Sequence, residues 1–220
     1  MSGNLIKNQS APQAKPEIIA KLKTIAVSLL SDNLHRSCGS VGLVPYHKPA
    51  PLVGTAVTVK TRGGDNLAAL RAYDYCRPGD VMVIDAGGDV VNAIFGGIMS
   101  LGGEYMGLGG MIVDGAIRDV AEISERSFPV YARGVSHRGP YKDGPGEINV
   151  PITVGGMVVR PGDIIVGDQD GLCAFSQDIA EEVIAKALAQ HVKEEATIQS
   201  IRNGKWDRSF VDALEARIVN

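Results

Sequence analysis

Cysteine, aromatic residues, excess positive charge and long apolar runs are all scarce in this chain of 220 residues. The three cysteines, Cys38, Cys76 and Cys173, lie far apart and are odd in number, so a disulfide framework is not expected. The chain has 22 Lys and Arg against 25 Asp and Glu, a formal net charge of −3. Without a basic excess to displace counterions, nucleic acid is not expected as the main partner.

No apolar run approaches the length of a membrane span, and the polar N-terminus lacks the apolar segment of a signal peptide. We therefore expect no membrane partner and, with so few cysteines, a cytoplasmic location. No GxGxxG follows a strand with an acidic residue at the right distance, and no GxxxxGK[ST] occurs. A nucleotide-binding function is accordingly not indicated.

What the chain does contain is an alternation of helical and strand patterns typical of an α/β protein. Strands are predicted at 53–61, 81–84, 111–113 and 130–132, and helices at 16–30, 66–75, 90–101, 118–126, 178–202 and 209–218. Residues 148–175 have β-type residues separated by Gly-Gly and Pro-Gly turns, which predicts a β module. We divide the chain into a flexible arm (1–15), a core domain (16–177) and a C-terminal helical extension (178–220) at a subunit interface.

The most informative motif runs from Gly109 to Asp119, a short apolar strand and a glycine followed by adjacent Arg118 and Asp119. Residues that follow a buried strand lie at the sheet edge where open α/β folds bind ligands. Arginine offers a rigid fork of donors for a carboxylate or an enolate oxygen, and aspartate offers a hard oxygen ligand for Mg²⁺ or Mn²⁺. The alternative is a capped helix start with a surface ion pair.

A second motif, Gly96-Gly97-Ile98-Met99, lies in a glycine-rich region. Glycines let backbone N–H groups approach a small anion such as a carboxylate at a helix start. Close packing of helices is the alternative explanation for the same glycines.

Four runs together resemble the RraA-like family: Val113 to Asp119, Gly134 to Pro140, Gly146 to Pro151 and Val154 to Asp163. That family includes 4-hydroxy-4-methyl-2-oxoglutarate / 4-carboxy-4-hydroxy-2-oxoadipate aldolases and regulators of ribonuclease activity A. The resemblance implies a three-layer ββα swivelling-domain fold, assembled as a homotrimer or homohexamer with active sites between subunits.

The resemblance also implies roles for individual residues. Asp119 would hold the metal, Arg118 would bind the pyruvyl oxygens, and the backbone N–H groups of Ile98 and Met99 would hold the substrate carboxylate. The aldolases carry an acidic residue twenty-one positions before the Arg-Asp pair, and that position is Gly97 here. Either another residue replaces this carboxylate or the activity differs.

Roles in the site are predicted less directly for four further acidic residues and for one loop. The family uses a glutamate from the neighbouring subunit, for which Glu194 or Glu195 is the candidate. Asp85 and Asp114 are expected to contact the residues that bind the substrate without contacting the substrate themselves. The loop residues 141–143 are expected to contact either substrate or a neighbouring subunit.

The expected function is a divalent-metal-dependent lyase that cleaves a 4-hydroxy-2-oxo acid to pyruvate and also decarboxylates oxaloacetate. Both reactions leave the same pyruvate enolate, whose charge Mg²⁺ and Arg118 would stabilise. The alternatives are a non-catalytic regulator that binds a protein partner, and a lyase acting on a different 2-oxo or hydroxy acid.

Overall fold

The computed structural model describes residues 4–36 and 38–218. Its strands are β1 (Leu5–Lys7), β2 (Val44–Pro45), β3 (Leu52–Thr61), β4 (Asp80–Phe95), β5 (Gly110–Ile117), β6 (Val130–Val135), β7 (Gly146–Ile148), β8 (Ile152–Val154), β9 (Met157–Val159), β10 (Ile164–Asp168) and β11 (Gly171–Phe175). Nine of them form one sheet in the order β1-β7-β3-β4-β5-β6-β2, with β10 paired to both β3 and β11. Strands β8 and β9 form a separate hairpin.

The centre of the sheet is parallel, because β3, β4, β5 and β6 all pair in the same direction. The helices are α1 (Pro16–Leu22), α2 (Val27–Asp32), α3 (Leu67–Ala72), α4 (Gly97–Tyr105), α5 (Val120–Ile123), α6 (Ala180–Arg202) and α7 (Phe210–Ile218). Parallel strands need crossover connections, and α3, α4 and α5 occur in these connections.

Alternate residues of the central strands enter different hydrophobic clusters. In β4, Met82 and Ile84 pack with buried residues of α3, α4 and α5. Val81 and Val83, which point the other way, pack with residues of β8, β9, β10 and β11. The central sheet is therefore covered by helices on one face and by a second β layer on the other, which is the three-layer ββα arrangement that the resemblance implies.

Helices α1, α2 and α6 cover the hairpin β10–β11 in a third cluster. The side of α6 that packs here carries Val183, Ile184 and Ala187, all buried. Beyond this point α6 is exposed, and α7 has no buried residue. The long C-terminal helix is thus confirmed, and its second half extends away from the core.

The prediction of a helix at 90–101 is wrong for residues 90–95, which continue strand β4. Gly87 and Gly88 adopt positive φ angles of 67° and 74°, which shift the register without ending the strand. The β-branched Val90 and Val91 then suit the extended chain. The helix begins only at Gly97.

Other boundaries also differ. The helix predicted at 16–30 is two helices separated by residues 23–26, and the helix predicted at 118–126 is a single turn, 120–123. Residues 5–7, inside the predicted flexible arm, form strand β1 paired in parallel with β7. Ala14 is buried and donates its backbone N–H to Thr55. The described part of this segment is therefore held against the core.

Among residues 4–36 and 38–218, no helix is both long and apolar enough to cross a membrane.

Candidate functional site

The site forms where β4 and β5 end side by side. Phe95 of β4 pairs with Ile117 of β5, and the Arg118 N–H donates to the Phe95 carbonyl oxygen at 3.0 Å. This pairing brings the first turn of α4 next to Arg118 and Asp119. Asp119 adopts a left-handed backbone conformation (φ 57°) that turns the chain sharply into α5. Both sequence motifs, far apart in the chain, thus meet at one edge of the sheet.

The carboxylate of Asp119 is fixed against the start of α4. Its Oδ2 accepts a hydrogen bond from the Gly97 N–H at 2.9 Å. A Cβ at Gly96 would collide with this carboxylate and would lie 2.7 Å from Cγ of Arg118. Glycine is required at position 96 because the Arg118-Asp119 pair approaches the backbone so closely.

The carboxylate of Glu122 fills the space where a side chain at Gly97 would begin. A Cβ at Gly97 would collide with Oε2 of Glu122 and lie 2.9 Å from its Cδ. Glu122 lies in the single turn of α5, and Asp119 immediately precedes that turn. Their carboxylates contact the adjacent glycines at positions 97 and 96. The Glu122 carboxylate of α5 thus occupies the space that a side chain at position 97 would enter.

A cavity of about 200 Å³ opens beside these groups. Its lining comprises Asn66, Leu70, Phe95, Gly96, Ile98, Met99, Arg118, Asp119, Pro140 and Lys142. The N–H groups of Ile98 and Met99 belong to the first turn of α4, where a helix has no internal acceptors. The cavity therefore combines backbone donors, two side-chain cations and a carboxylate.

Arg118 is half-exposed and lies between its neighbour Asp119 and the loop after β6. Its Nε is 3.7 Å from Oδ2 of Asp119. A Cβ at Gly139 would lie 2.9 Å from Nη1 of Arg118, so the guanidinium packs against this glycine. The Gly139 carbonyl oxygen in turn accepts a hydrogen bond from Nδ2 of Asn92 at 2.7 Å. These contacts hold the guanidinium over the cavity.

Asn66 lines the deep side of the cavity and is 4% exposed. Its Nδ2 donates to the Ile94 carbonyl oxygen at 3.0 Å, while its Oδ1 has no hydrogen-bond partner in the described part of the chain. A buried acceptor without a partner costs about 1–3 kcal/mol. Nearby, burial raises the pKa of Tyr73, so its neutral phenol donates to the Met99 carbonyl oxygen.

The structure places the other predicted residues elsewhere. Asp114 is paired with Arg133 and accepts from the Gly155 N–H, and Asp85 accepts from the Gly87 N–H. Neither lines the cavity, and no hydrogen bond or ion pair between described residues links them to Arg118 or Asp119.

Glu194 and Glu195 lie on the exposed part of α6 and do not line the cavity of their own chain. Glu194 accepts a hydrogen bond from Gln190. A contribution of either glutamate to a neighbouring subunit stays a prediction.

The described residues contain no group of three or more His, Cys, Asp or Glu side chains able to hold a metal. Asp119 and Glu122 are only two carboxylates. Mg²⁺ is typically bound by one or two carboxylates, with water and substrate oxygens completing its shell. The pair therefore suits Mg²⁺ and does not suit a site built entirely from protein ligands.

A larger groove of about 370 Å³ between α1, α2 and β10 offers no comparable chemistry. Its carboxylate, Asp168, already accepts hydrogen bonds from the backbone N–H groups of Val27 and Asp170. The smaller cavity beside Arg118 is the better candidate site.

Fold and site together define a class: a three-layer α/β protein that presents an arginine and two carboxylates at the end of parallel strands. Its family model is the one described as RraA-like (Aldolase/RraA), which matches residues 27–173. The chain belongs to the RraA-like family.

Relatives of this family carry different names. A protein of Halalkalibacterium halodurans named "Putative 4-hydroxy-4-methyl-2-oxoglutarate aldolase" is 39% identical over 190 residues, which cover 86% of this chain and 90% of the relative. A crystal structure of an uncharacterized protein from Pseudomonas syringae superposes with a TM-score of 0.80 at 25% identity, covering 90% of this chain and 93% of the other. The RNA-processing inhibitor RraA from Thermus thermophilus gives a TM-score of 0.62 at 28% identity, covering 68% and 92%.

Proposed function

We propose that this protein is a divalent-metal-dependent lyase that cleaves a 4-hydroxy-2-oxo acid of the 4-hydroxy-4-methyl-2-oxoglutarate type to pyruvate. The observation that carries the proposal is the convergence of Asp119 and Glu122 on Gly97, next to Arg118 and the open first turn of α4. The name of the Halalkalibacterium relative supports the same substrate class.

The acidic pair fits a hydrated Mg²⁺ or Mn²⁺ ion. Asp119 is oriented by the Gly97 N–H, and the glycine at position 97 leaves room for the Glu122 carboxylate. These two residues would hold the ion, with Glu122 acting directly or through a water molecule. When bound, the ion supplies a Lewis acid for negative charge on the 2-oxo oxygen.

The chain's own groups account for binding and charge stabilisation. The N–H groups of Ile98 and Met99, at the positive end of α4, suit the substrate 1-carboxylate. Arg118 would donate to the 2-oxo oxygen, which becomes negatively charged as the C3–C4 bond breaks. The C4 hydroxyl loses its proton to a base, and a C4–O double bond forms as the C3–C4 bond breaks, which releases the C4 fragment as a second molecule of pyruvate. The C3–C4 electron pair forms the pyruvate enolate, and protonation at C3 gives the first.

The same groups serve the decarboxylation of oxaloacetate, which releases CO₂ and leaves the same enolate. This reaction has no hydroxyl proton to remove, so it needs no general base for that step. We expect it as a side activity.

The test is pyruvate release from 4-hydroxy-4-methyl-2-oxoglutarate and from oxaloacetate, with Mg²⁺ and with chelator. Asp119→Asn removes a charged oxygen ligand and should abolish metal-dependent release of pyruvate from both acids. Asp170→Asn, an exposed substitution in a turn, is the matched control and should retain activity. Full Mg²⁺-dependent turnover by Asp119→Asn would refute the assignment of the metal to this residue.

A second candidate is a regulator that binds a protein partner, favoured by the similarity to the RraA of Thermus thermophilus. A stable, well-folded protein that releases pyruvate from neither acid with any added divalent metal would favour this alternative.

We also infer that the chain forms a homo-oligomer, a trimer or a hexamer. Large apolar side chains near the C-terminus are exposed, among them Trp206, Phe210 and Leu214. Analytical ultracentrifugation of the full chain and of a variant with these residues replaced by serine tests whether this segment holds the assembly together.

A further inference from the structure

Two polar side chains lie behind the first turn of α4: Ser100, within α4, and Arg126, which follows α5. Ser100 is fully buried, and the side chain of Arg126 is 18% exposed. The Ser100 hydroxyl oxygen lies 2.5 Å from Nη2 of Arg126 and 3.0 Å from the Gly97 carbonyl oxygen. The lining of the candidate cavity includes neither side chain. Any effect of these two residues on a bound ligand must therefore pass through the backbone of α4.

The direction of these two hydrogen bonds is set by the chemistry of the groups. A guanidinium group has only donors, so Arg126 donates and the Ser100 oxygen accepts. The hydroxyl proton of Ser100 is then free for the Gly97 carbonyl oxygen, which can only accept. The two bonds thus run in one direction, from a cation through a hydroxyl group to a peptide carbonyl.

The carbonyl group of Gly97 belongs to the peptide unit whose nitrogen is that of Ile98. This N–H group lies in the first turn of α4, where a helix supplies no internal acceptor, and Ile98 lines the cavity. Hydrogen bonds in a chain polarise one another, so a peptide unit whose carbonyl accepts a bond is a stronger donor at its N–H. The chain from Arg126 through Ser100 therefore ends at a backbone donor of a cavity-lining residue.

The same contacts hold the backbone of Gly97 in place. Its N–H donates to Oδ2 of Asp119 at 2.9 Å, so side chains hold the peptide units on both sides of this glycine. Arg126 is held in turn by Glu104 of α4, whose Oε2 accepts from Nη1 at 2.9 Å. Glycine has more conformational freedom to lose than any other residue. These contacts restrict that freedom at the residue just before the Ile98 N–H.

We propose that Ser100 and Arg126 are positioning residues that orient and polarise the Ile98 N–H group and so strengthen its hydrogen bond to the substrate carboxylate. The inference rests on the proposed function, because it takes this N–H to bind the 1-carboxylate of the substrate. Neither residue contacts the substrate or takes part in bond breaking. Both act equally on the ground state and the transition state, so their removal raises KM more than it lowers kcat.

The first measurement uses the free protein, labelled with ¹⁵N-isoleucine, and follows the amide resonance of Ile98, assigned by its loss in Ile98→Val. Ser100→Ala removes the hydroxyl and Arg126→Met removes the cation, so each should move this resonance upfield. Arg126→Lys keeps a charged donor and should leave it closer to its wild-type position. Ser124→Ala is the matched control, because the exposed Ser124 hydroxyl also donates to a carbonyl oxygen three residues earlier, at 3.1 Å.

The second measurement is the dissociation constant of pyruvate at saturating Mg²⁺, by titration calorimetry, with KM and kcat for 4-hydroxy-4-methyl-2-oxoglutarate. We expect Ser100→Ala and Arg126→Met each to raise this constant and KM by about 2- to 10-fold, the range for one neutral hydrogen bond. The double variant should bind pyruvate no more weakly than the weaker single variant, because both changes break one chain of hydrogen bonds. Arg71→Met, at an exposed ion pair with Asp74, is the control for Arg126→Met.

An unchanged Ile98 resonance or unchanged pyruvate affinity in folded Ser100→Ala would overturn the proposal, as would additive losses in the double variant. Should Ser100→Ala not fold, Arg126→Met and Arg126→Lys provide the same comparison. If the wild-type protein neither binds pyruvate nor releases it from the substrate, the proposed lyase function fails. The Ile98 resonance then tests the positioning role alone: an upfield move in both variants supports it, and no move refutes it.

Discussion

Glu122 offers the sharpest test of the candidate metal site, because its position is the least expected feature of that site. Glu122→Gln keeps the size of the side chain and removes its charge. The side chain is 57% exposed, so a dielectric constant close to that of water applies. A single negative charge about 4 Å from a divalent ion in water interacts by about 2 kcal/mol, or roughly 30-fold in affinity. Outer-shell partners of metals cost about 10- to 100-fold when replaced, which agrees with this value.

The assay is a titration of the purified protein with Mn²⁺, in which free Mn²⁺ is followed by electron paramagnetic resonance. We expect the dissociation constant to rise by roughly 10- to 30-fold in Glu122→Gln, since salt screens part of the Coulomb energy. Glu125→Gln is the matched control, because Glu125 pairs with Lys48, whereas Glu122 faces Gly97 and lies 4.0 Å from Nη2 of Arg126. Equal Mn²⁺ affinity for the two variants would refute the role of Glu122.

A second variant, Gly97→Ala, tests whether the position of the Glu122 carboxylate matters for metal affinity. Gly97→Ala places a Cβ against the Glu122 carboxylate, which is the flexible end of its side chain and can move away. The fold should therefore survive, while Mn²⁺ affinity falls as it does in Glu122→Gln. The double variant Gly97→Asp/Glu122→Ala returns one carboxylate to the same space and should recover much of the lost affinity.

Two further predictions concern stability. Burial raises the pKa of Cys76 and of Cys173 to about 12 from the usual value of 9.0. Between pH 9 and pH 12 the folded chain holds more protons than the unfolded one, so the free energy of unfolding is highest below pH 9 and falls as the pH rises toward 12. Urea denaturation at pH 7.5 and 10.5 measures this fall. The same dependence of the free energy of unfolding on pH in Cys76→Ala would contradict the prediction for Cys76. Ile112→Ala, at a fully buried position, should cost about 2–5 kcal/mol in the same assay, against less than about 0.5 kcal/mol for the exposed Val158→Ala. Similar costs for these two would contradict the assignment of Ile112 to the core.

Much of the layered fold is accessible from the sequence, because buried parallel strands carry continuous apolar runs. The runs at Val81–Ile84 and Met111–Val113 predict two neighbouring strands correctly. The continuation of β4 through residues 89–95 is not predictable in the same way. The glycine pair Gly87-Gly88 and the residues after it fit either a helix or a bulged strand, and only pairing with β5 decides between the two.

The residues of the candidate site are likewise only partly predictable from the sequence. Arg118, Asp119 and residues 96–99 are predicted as site residues and do meet in one cavity. The predicted strand end accounts for Arg118 and Asp119, whereas the end of β4 at Phe95, just before α4, is not predicted. Glu122, Asn66 and the buried Asp65, which accepts hydrogen bonds from the loop at 143–144, are not predicted. The spacing of three residues between Asp119 and Glu122 was the available signal for Glu122, since such residues share one face of a helix. Nothing local in the sequence indicates that Asp65 contacts a loop almost eighty residues later.

The loop that carries Lys142 is held by its main chain, since the Asp143 and Gly144 N–H groups donate to the buried carboxylate of Asp65. Asp65 accepts hydrogen bonds from backbone N–H groups, which every residue except proline possesses, so it places almost no demand on the side chains of this loop. Position 142 can therefore change from cation to apolar residue or anion at little cost in stability. A substitution at position 142 is thus expected to change the charge of the cavity lining while the layers beneath it keep their packing.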